Sequence, residues 1–155
     1  RSTLFPYTTL FRSALAGLLE KQFRNTYDKA AKRPGSAGEN LLIMLEQRFD
    51  NVVYRMGFAA TRREARQLVN HGHFTLNGKK ANIPSMEIKV GDVIAVKEKS
   101  KSSPKFTQLR EMAITTPKWI TIDTDKLEGK IIAMPTREDV DLPVEEHRIV
   151  ELYSK

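Results

Sequence analysis

Arg62, Arg63, Arg66, Gln67 and Asn70 crowd the start of TRREARQLVNHGHFTLNG, residues 61–78, and Lys79 and Lys80 follow directly. Guanidinium and amide groups at this density suit the recognition of phosphate rather than bond breaking. They donate several hydrogen bonds each, and the guanidinium keeps its charge at physiological pH. Other chemistry-bearing residues are sparse. His71 and His73 stand two apart, without the i, i+4 spacing of a helical metal pair and with no cysteine or carboxylate cluster beside them. A surface or nucleic-acid contact is the better reading for both. There is no G-x-x-x-x-G-K-[ST] loop, no G-x-G-x-x-G and no G-x-S-x-G. The carboxylates of 138–146 read as a solvated or partner-facing acidic patch. Nothing supports turnover, so the chain is expected to be no enzyme, to hold no metal and to need no cofactor.

The elements that position these groups follow from local spacing. Thr61 and Glu64 have the T-x-x-E pattern of a capping box, in which hydroxyl and carboxylate satisfy each other's backbone N–H groups. Ala65, Leu68 and Val69 then form the apolar stripe of an amphipathic helix, with Arg63, Arg66, Gln67 and Asn70 on the other side. Arg62 lies in the first turn, where the helix dipole disfavours a cation. A helix that tolerates this is built either to meet phosphate or as a solvated basic face, and one helix alone leaves the two readings level. Gly72 is placed to end the helix, Phe74 and Leu76 alternate as a strand, and Asn77-Gly78 signals a hairpin.

Composition favours the phosphate reading. The 155 residues include 26 Lys+Arg and 19 Asp+Glu, giving a net charge of +7, and the pI is near 9.7. Residues 1–100 carry 17 basic and 9 acidic side chains, a net +8; residues 101–155 carry 9 and 10, a net −1. An anionic partner should therefore meet the first two thirds of the chain. The absence of cysteine excludes disulfides and thiolate chemistry within the sequence and is compatible with a reducing compartment. No apolar run approaches the roughly 18 residues of a membrane span, and the opening lacks a secretion-signal core. No membrane and no small-molecule substrate is expected among the partners.

In chain order, residues 1–13 share no helical or strand register with the segment after them. They resemble a translated adapter or vector sequence and are read as a non-native leader. Residues 14–33 read as a helix with Leu15, Leu18, Leu19, Phe23 and Tyr27 as its stripe, and RPGSAG at 33–38 breaks it. Glu39–Gly57 reads as helix in two pieces joined near Gln47–Asp50. Leu42, Leu45, Phe49, Val52, Val53 and Met56 form its apolar face, and Arg48, Asn51, Tyr54 and Arg55 its polar side. Tyr54 is read as half-buried in preference to stacking on a base. Ala81 and Ile83, then Met86, Ile88 and Val90, alternate as strands, and Val93–Val96 follows as a buried strand that Lys97, Lys99 and Lys101 continue. Residues 100–105 read as a linker, 106–116 as a short helix, and Trp119–Ile122 and 130–135 as extended segments. The expected fold is α+β: a helical lobe at 14–38, a module of two helices on a small mostly antiparallel sheet at 39–100, and a mixed extension at 101–155 packing with the lobe.

Residues 48–100, RFDNVVYRMGFAATRREARQLVNHGHFTLNGKKANIPSMEIKVGDVIAVKEKS, resemble the RNA-binding module named for the fourth protein of the small ribosomal subunit. That module also occurs in pseudouridine synthases, tyrosyl-tRNA synthetases and a heat-shock RNA-binding protein. The flanks EKQFRNTYDKAAKRPGSAGENLL and PKWITID, with MPTRED and EEHRIVELYSK beyond, are similar to the ribosomal protein family itself, in bacterial or organellar form. The resemblance covers 14–155. It implies a structural protein that binds the 5′ domain of small-subunit ribosomal RNA early in assembly and resides on the ribosome. It implies RNA contacts at Arg48, Asn51, Arg55, Arg62, Arg63, Arg66, Gln67, His71, His73, Asn77, Lys79 and Lys80; Lys97 and Lys99 at the strand end extend the same basic surface. It also implies contact with the fifth small-subunit protein, here assigned to the acidic Glu138, Asp139, Asp141, Glu145 and Glu146, with a bearing on translational accuracy and, in some members, self-regulation. The family's basic N-terminal segment, zinc-binding in some members, is replaced by residues 1–13. Two alternatives stand beside this reading: the guide module of an RNA-modifying enzyme, and a stress or recycling factor of the large subunit.

Overall fold

The computed structural model describes residues 20–111, 114 and 116–136. The expected leader, Leu15, Leu18, Leu19, and the acidic set Glu138, Asp139, Asp141, Glu145 and Glu146 lie outside them. Gln47–Met134 forms one compact unit, and the remaining described residues belong to another.

The first unit holds α1 (Glu20–Lys32) and α2 (Ala37–Glu46). Phe23, Tyr27 and Ala30 are buried along α1, and Leu41, Leu42, Met44 and Leu45 along α2. Helix ends leave carbonyls without intrahelical partners. Here the Asn40 side-chain amide donates to the carbonyls of Ala30, Arg33 and Pro34 at 3.2–3.3 Å, fixing the chain reversal that Pro34 and Gly35 begin.

In the second unit, α3 (Phe49–Arg55) and α4 (Arg62–Asn70) pack on a five-stranded sheet. Its strands are β1 (Phe74–Leu76), β2 (Lys79–Lys80), β3 (Val93–Val96), β4 (Ile120–Asp123) and β5 (Glu128–Ile131), in the order β2-β1-β3-β5-β4, and every pairing is antiparallel. The hairpin of β1 and β2 turns on Asn77 and Gly78, with φ of 53° and 82°, the left-handed pair that a two-residue turn of this kind requires. The sheet continues past residue 100, because β5 pairs with β3 in the register Val93↔Lys130, Ile94↔Gly129, Ala95↔Glu128. Phe49, Phe58, Phe74, Phe106 and Trp119 are almost wholly buried and centre the core, with Phe74 stacked on Phe58 at 5.9 Å and edge-on to Phe106 at 6.0 Å.

Three expectations are corrected. The helix of 39–57 does break near Gln47, but the alternating residues Met86, Ile88 and Val90 form no strand. Their segment straps the start of α3 instead: Phe49 N donates to Met86 O at 2.9 Å, Asp50 N to Pro84 O at 3.2 Å, and Ile88 N to Gln47 O at 2.8 Å. The otherwise orphaned N–H groups of α3 take these carbonyls, and Pro84 lacks the donor that a strand ladder needs. A single bridge, Arg48↔Glu87, remains, and Ile83 and Val90 are about half exposed. Second, Lys97, Lys99 and Lys101 do not prolong β3. Lys97 precedes α5 (Glu98–Lys101), which holds the other two. Third, 100–105 is folded rather than a linker. Pro104, with φ preset, occupies the first position of α6 (Pro104–Glu111), and buried Phe106 anchors that helix.

Candidate nucleic-acid interface

Helix α4 carries the centre of the surface. Thr61 is extended and its Oγ1 accepts from Glu64 N at 3.0 Å, so the cap forms. The reciprocal arm does not, because the Glu64 carboxylate pairs with Lys105 of α6. Ala65, Leu68 and Val69 are buried as their spacing requires. Arg63, Gln67 and Asn70 are exposed and Arg66 half-exposed, and among the described residues neither Arg63 nor Arg66 has a carboxylate partner.

Arg62 is held differently. Its Nε donates to Asn51 Oδ1 at 2.8 Å, and its guanidinium lies 4.7 Å from the centroid of the Tyr54 ring. Arg55 lies 5.8 Å from the same ring. Tyr54 is thus half-buried with an arginine over its face, which leaves less room for a stacked base. Arg48 and Asn51 are not on a solvent-facing polar side, as their periodicity suggests, but only 7% and 2% exposed. Arg48 makes a two-point contact with Asp50, from Nε to Oδ1 at 3.2 Å and from Nη2 to Oδ2 at 3.1 Å. Asp50 Oδ1 also accepts from Asn51 N at 2.7 Å. A buried guanidinium needs such a carboxylate, which is why these polar residues turn inward.

Beyond α4 the chain brings more cations together. Gly72, with φ of 76°, ends the helix; a side chain there would put its first carbon 3.8 Å from both Lys80 Cε and Lys97 Nζ. His71 is exposed, and its ring stands 6.4 Å from that of His73. His73 is half-buried against Phe106, with Nδ1 2.8 Å from Ser100 Oγ. Burial, then the nearby His71, Lys97 and Lys105, hold the His73 imidazole below its usual pKa, which favours the neutral ring. Lys79 and Lys80 are exposed on the edge strand β2, and Lys99 is exposed on α5.

Asn77 is exposed, yet both ends of its amide are engaged: Nδ2 donates to Asp92 Oδ1 at 3.0 Å and Oδ1 accepts from Val93 N at 2.9 Å. Its side chain therefore staples the hairpin to β3. Two groups at the surface, Ser100 and Lys105, carry no signal in the sequence, because only the folding of α5 and α6 brings them beside α4 and β1. No group of His, Cys, Asp and Glu among the described residues could hold a metal ion, and none of their helices is long and apolar enough to cross a membrane.

Comparison with known proteins identifies the family. Residues 47–94 match the model of the S4 domain, and residues 8–46 that of the ribosomal protein S4/S9 N-terminal domain. The two matches meet between Glu46 and Gln47, where the compact units divide. The small ribosomal subunit protein uS4 of Acetivibrio thermocellus is 61% identical over 141 residues, which cover 90% of this chain and 68% of that one. Those of Clostridioides difficile and Desulforamulus reducens are 60% and 59% identical, with the same shares covered. At this identity over most of its length, the chain belongs to the family of the small ribosomal subunit protein uS4.

Proposed function

We propose that the chain is a structural, non-catalytic component of the small ribosomal subunit whose α4 face and adjoining lysines bind ribosomal RNA directly. The observation that carries this is the division of α4: Ala65, Leu68 and Val69 are packed, while Arg63 and Arg66 stand outward without carboxylate partners among the described residues. Cations left unneutralised by their own fold are available to release counterions from phosphate, which supplies affinity. Arg63, Arg66, Gln67, His71, His73, Lys79, Lys80, Lys97 and Lys99 are the contact residues in this reading. Arg48, Asn51 and Asn77 serve by holding the scaffold, and Arg55 and Arg62 by closing over Tyr54 at its rim. Family membership supports ribosomal RNA and neighbouring ribosomal proteins as partners. The finer reading is that the RNA is the 5′ domain of the small-subunit species, bound early enough to nucleate assembly. Glu138, Asp139, Asp141, Glu145 and Glu146 then meet the fifth small-subunit protein, through which the chain bears on accuracy. Its bacterial relatives support the ribosome of the bacterial cytoplasm as its location.

The test is binding of the whole chain to the 5′ domain against a structured control RNA over a salt series. Selective binding, with log K falling steeply as log salt rises, is expected. The double reversal Arg63→Glu and Arg66→Glu should abolish most of that binding while the circular dichroism spectrum stays native. Undiminished binding by the folded double variant would remove α4 from the interface.

A further inference from the structure

The end of α4 and the start of α5 enclose a feature that an RNA-binding face as such does not require. Gly72 is buried beneath the Lys80 stem and the Lys97 ammonium, each 3.8 Å from where its side chain would begin. His73 adjoins it in sequence, and Lys97 N donates to His73 O at 2.9 Å, tying the two together. Among the described residues, the carboxylates of the two adjoining helices are engaged: Glu64 of α4 with Lys105, and Glu98 of α5 with Lys101. Lys80 and Lys97 have no such partner among the described residues. The cluster is therefore a concentration of positive charge over a buried glycine, with the two lysine side chains turned to the surface side of it.

We infer that Lys80, Lys97 and His73 around Gly72 form a seat for one RNA phosphodiester, and that filling it draws a proton onto His73. The inference rests on the RNA-binding reading above and adds to it a ligand position and a proton. Ser100 Oγ holds Nδ1 of the ring, which leaves Nε2 as the nitrogen that can face a phosphate oxygen. In the free protein the groups facing that ring are His71 at the end of α4, Lys97 before α5, Lys105 on α6 with its Glu64 partner, and Ser100, with Lys80 of β2 across Gly72. This surrounding disfavours a further positive charge, consistent with the lowered pKa of His73. A phosphate reverses the balance. It is attracted by the same cations, and its own charge stabilises an imidazolium beside it. Affinity for RNA must then rise as the pH falls through the range between the free and the RNA-bound pKa, by up to about tenfold per pH unit for one proton.

The experiment is a titration of the whole chain with the 5′-domain RNA between pH 5.5 and 8 at constant ionic strength, with far-ultraviolet circular dichroism at each pH to confirm folding. That control matters because His73 also acts on stability. Its folded pKa lies below the unfolded value of about 6.5, so its contribution is fully present above pH 6.5 and is lost as the pH falls through the folded pKa. In the unaltered chain log K should rise with falling pH. His73→Gln should remove most of that slope, whatever it does to the affinity itself. Lys97→Ala should lower the slope of log K against log salt by about 1, the signature of one lost phosphate contact. A slope that persists in His73→Gln would assign the proton to another group and overturn the inference, as would pH-independent binding by the unaltered chain. No binding at any pH would instead strike the RNA-binding reading beneath it.

Discussion

Arginine does opposite work on the two helices that cover the sheet. Arg48, at the start of α3, is buried and clasped at two points by Asp50. Arg63 and Arg66, on α4, face outward with no carboxylate to claim them among the described residues. Both stretches mix arginine with amides and pack one apolar side, and periodicity treats them alike. What separates them is a neighbour. Asp50 follows Arg48 by two residues across the join of extended chain and helix, and its carboxylate also takes the Asn51 N–H. The acid of α4, Glu64, is drawn away to Lys105. The arginines available to a partner are those whose own fold has left their charge unbalanced, and this is a property of carboxylate placement rather than of arginine content.

The comparison breaks most readily at Asp50. Asp50→Ala strands a buried guanidinium and should lower the free energy of unfolding by about 3–5 kcal/mol. Arg63→Ala or Arg66→Ala should change it by no more than about 0.5 kcal/mol, as surface substitutions do. Urea denaturation of the three variants decides the matter; similar losses would mean that the two regions are not differently built. A smaller loss is expected at the cap. Thr61→Ala removes the acceptor for Glu64 N and should cost about 1 kcal/mol in the same assay. Because no reciprocal arm supports that cap, Glu64→Gln should not reproduce the loss.

How far the sequence foretells this arrangement depends on whether the determinant is local. The stripe Ala65, Leu68, Val69, the Thr61 cap and the Asn77-Gly78 turn all lie within a few residues of what they specify, and each forms as its spacing requires. Arg63, Arg66 and Gln67 inherit their exposure from that stripe. The 84–88 strap could not be read in this way. Met86, Ile88 and Val90 alternate like a strand, but the carbonyls of Pro84 and Met86 are claimed by α3 and the N–H of Ile88 by Gln47, all distant in sequence. The inward turn of Arg48 and Asn51 has the same origin: periodicity gives a face, and the fold then covers it. The lysines after β3 illustrate a third case. Their polarity reads as a strand end and a linker, whereas the chain forms two short helices, the second started by Pro104 and anchored by buried Phe106, and these carry Ser100 and Lys105 to the edge of the site. The centre of the candidate interface is thus legible in one helix, and its rim is made by tertiary structure.

The smallest expected effect probes why Glu64 leaves α4 unneutralised. The side chains of Lys105 and Glu64 are 40% and 32% exposed, so their pairing competes with water and is screened by salt. Lys105→Gln should cost only a few tenths of a kcal/mol, within the roughly 0.2–1 kcal/mol of exposed pairs, and less still at high salt. Part of the loss should be recovered, because a released Glu64 can swing back to the Thr61 N–H and complete the capping box. The same release puts an unpaired carboxylate beside Arg63 and Arg66, so Lys105→Gln should weaken RNA binding more than the loss of one rim lysine would. A double-mutant cycle of Lys105→Gln with Glu64→Gln, read by both denaturation and RNA binding, separates the two effects. A small coupling in stability with a clear coupling in RNA affinity is the expected result. The reverse pattern would make the pair a strut of the fold, and the unbalanced charge of α4 would then need another cause.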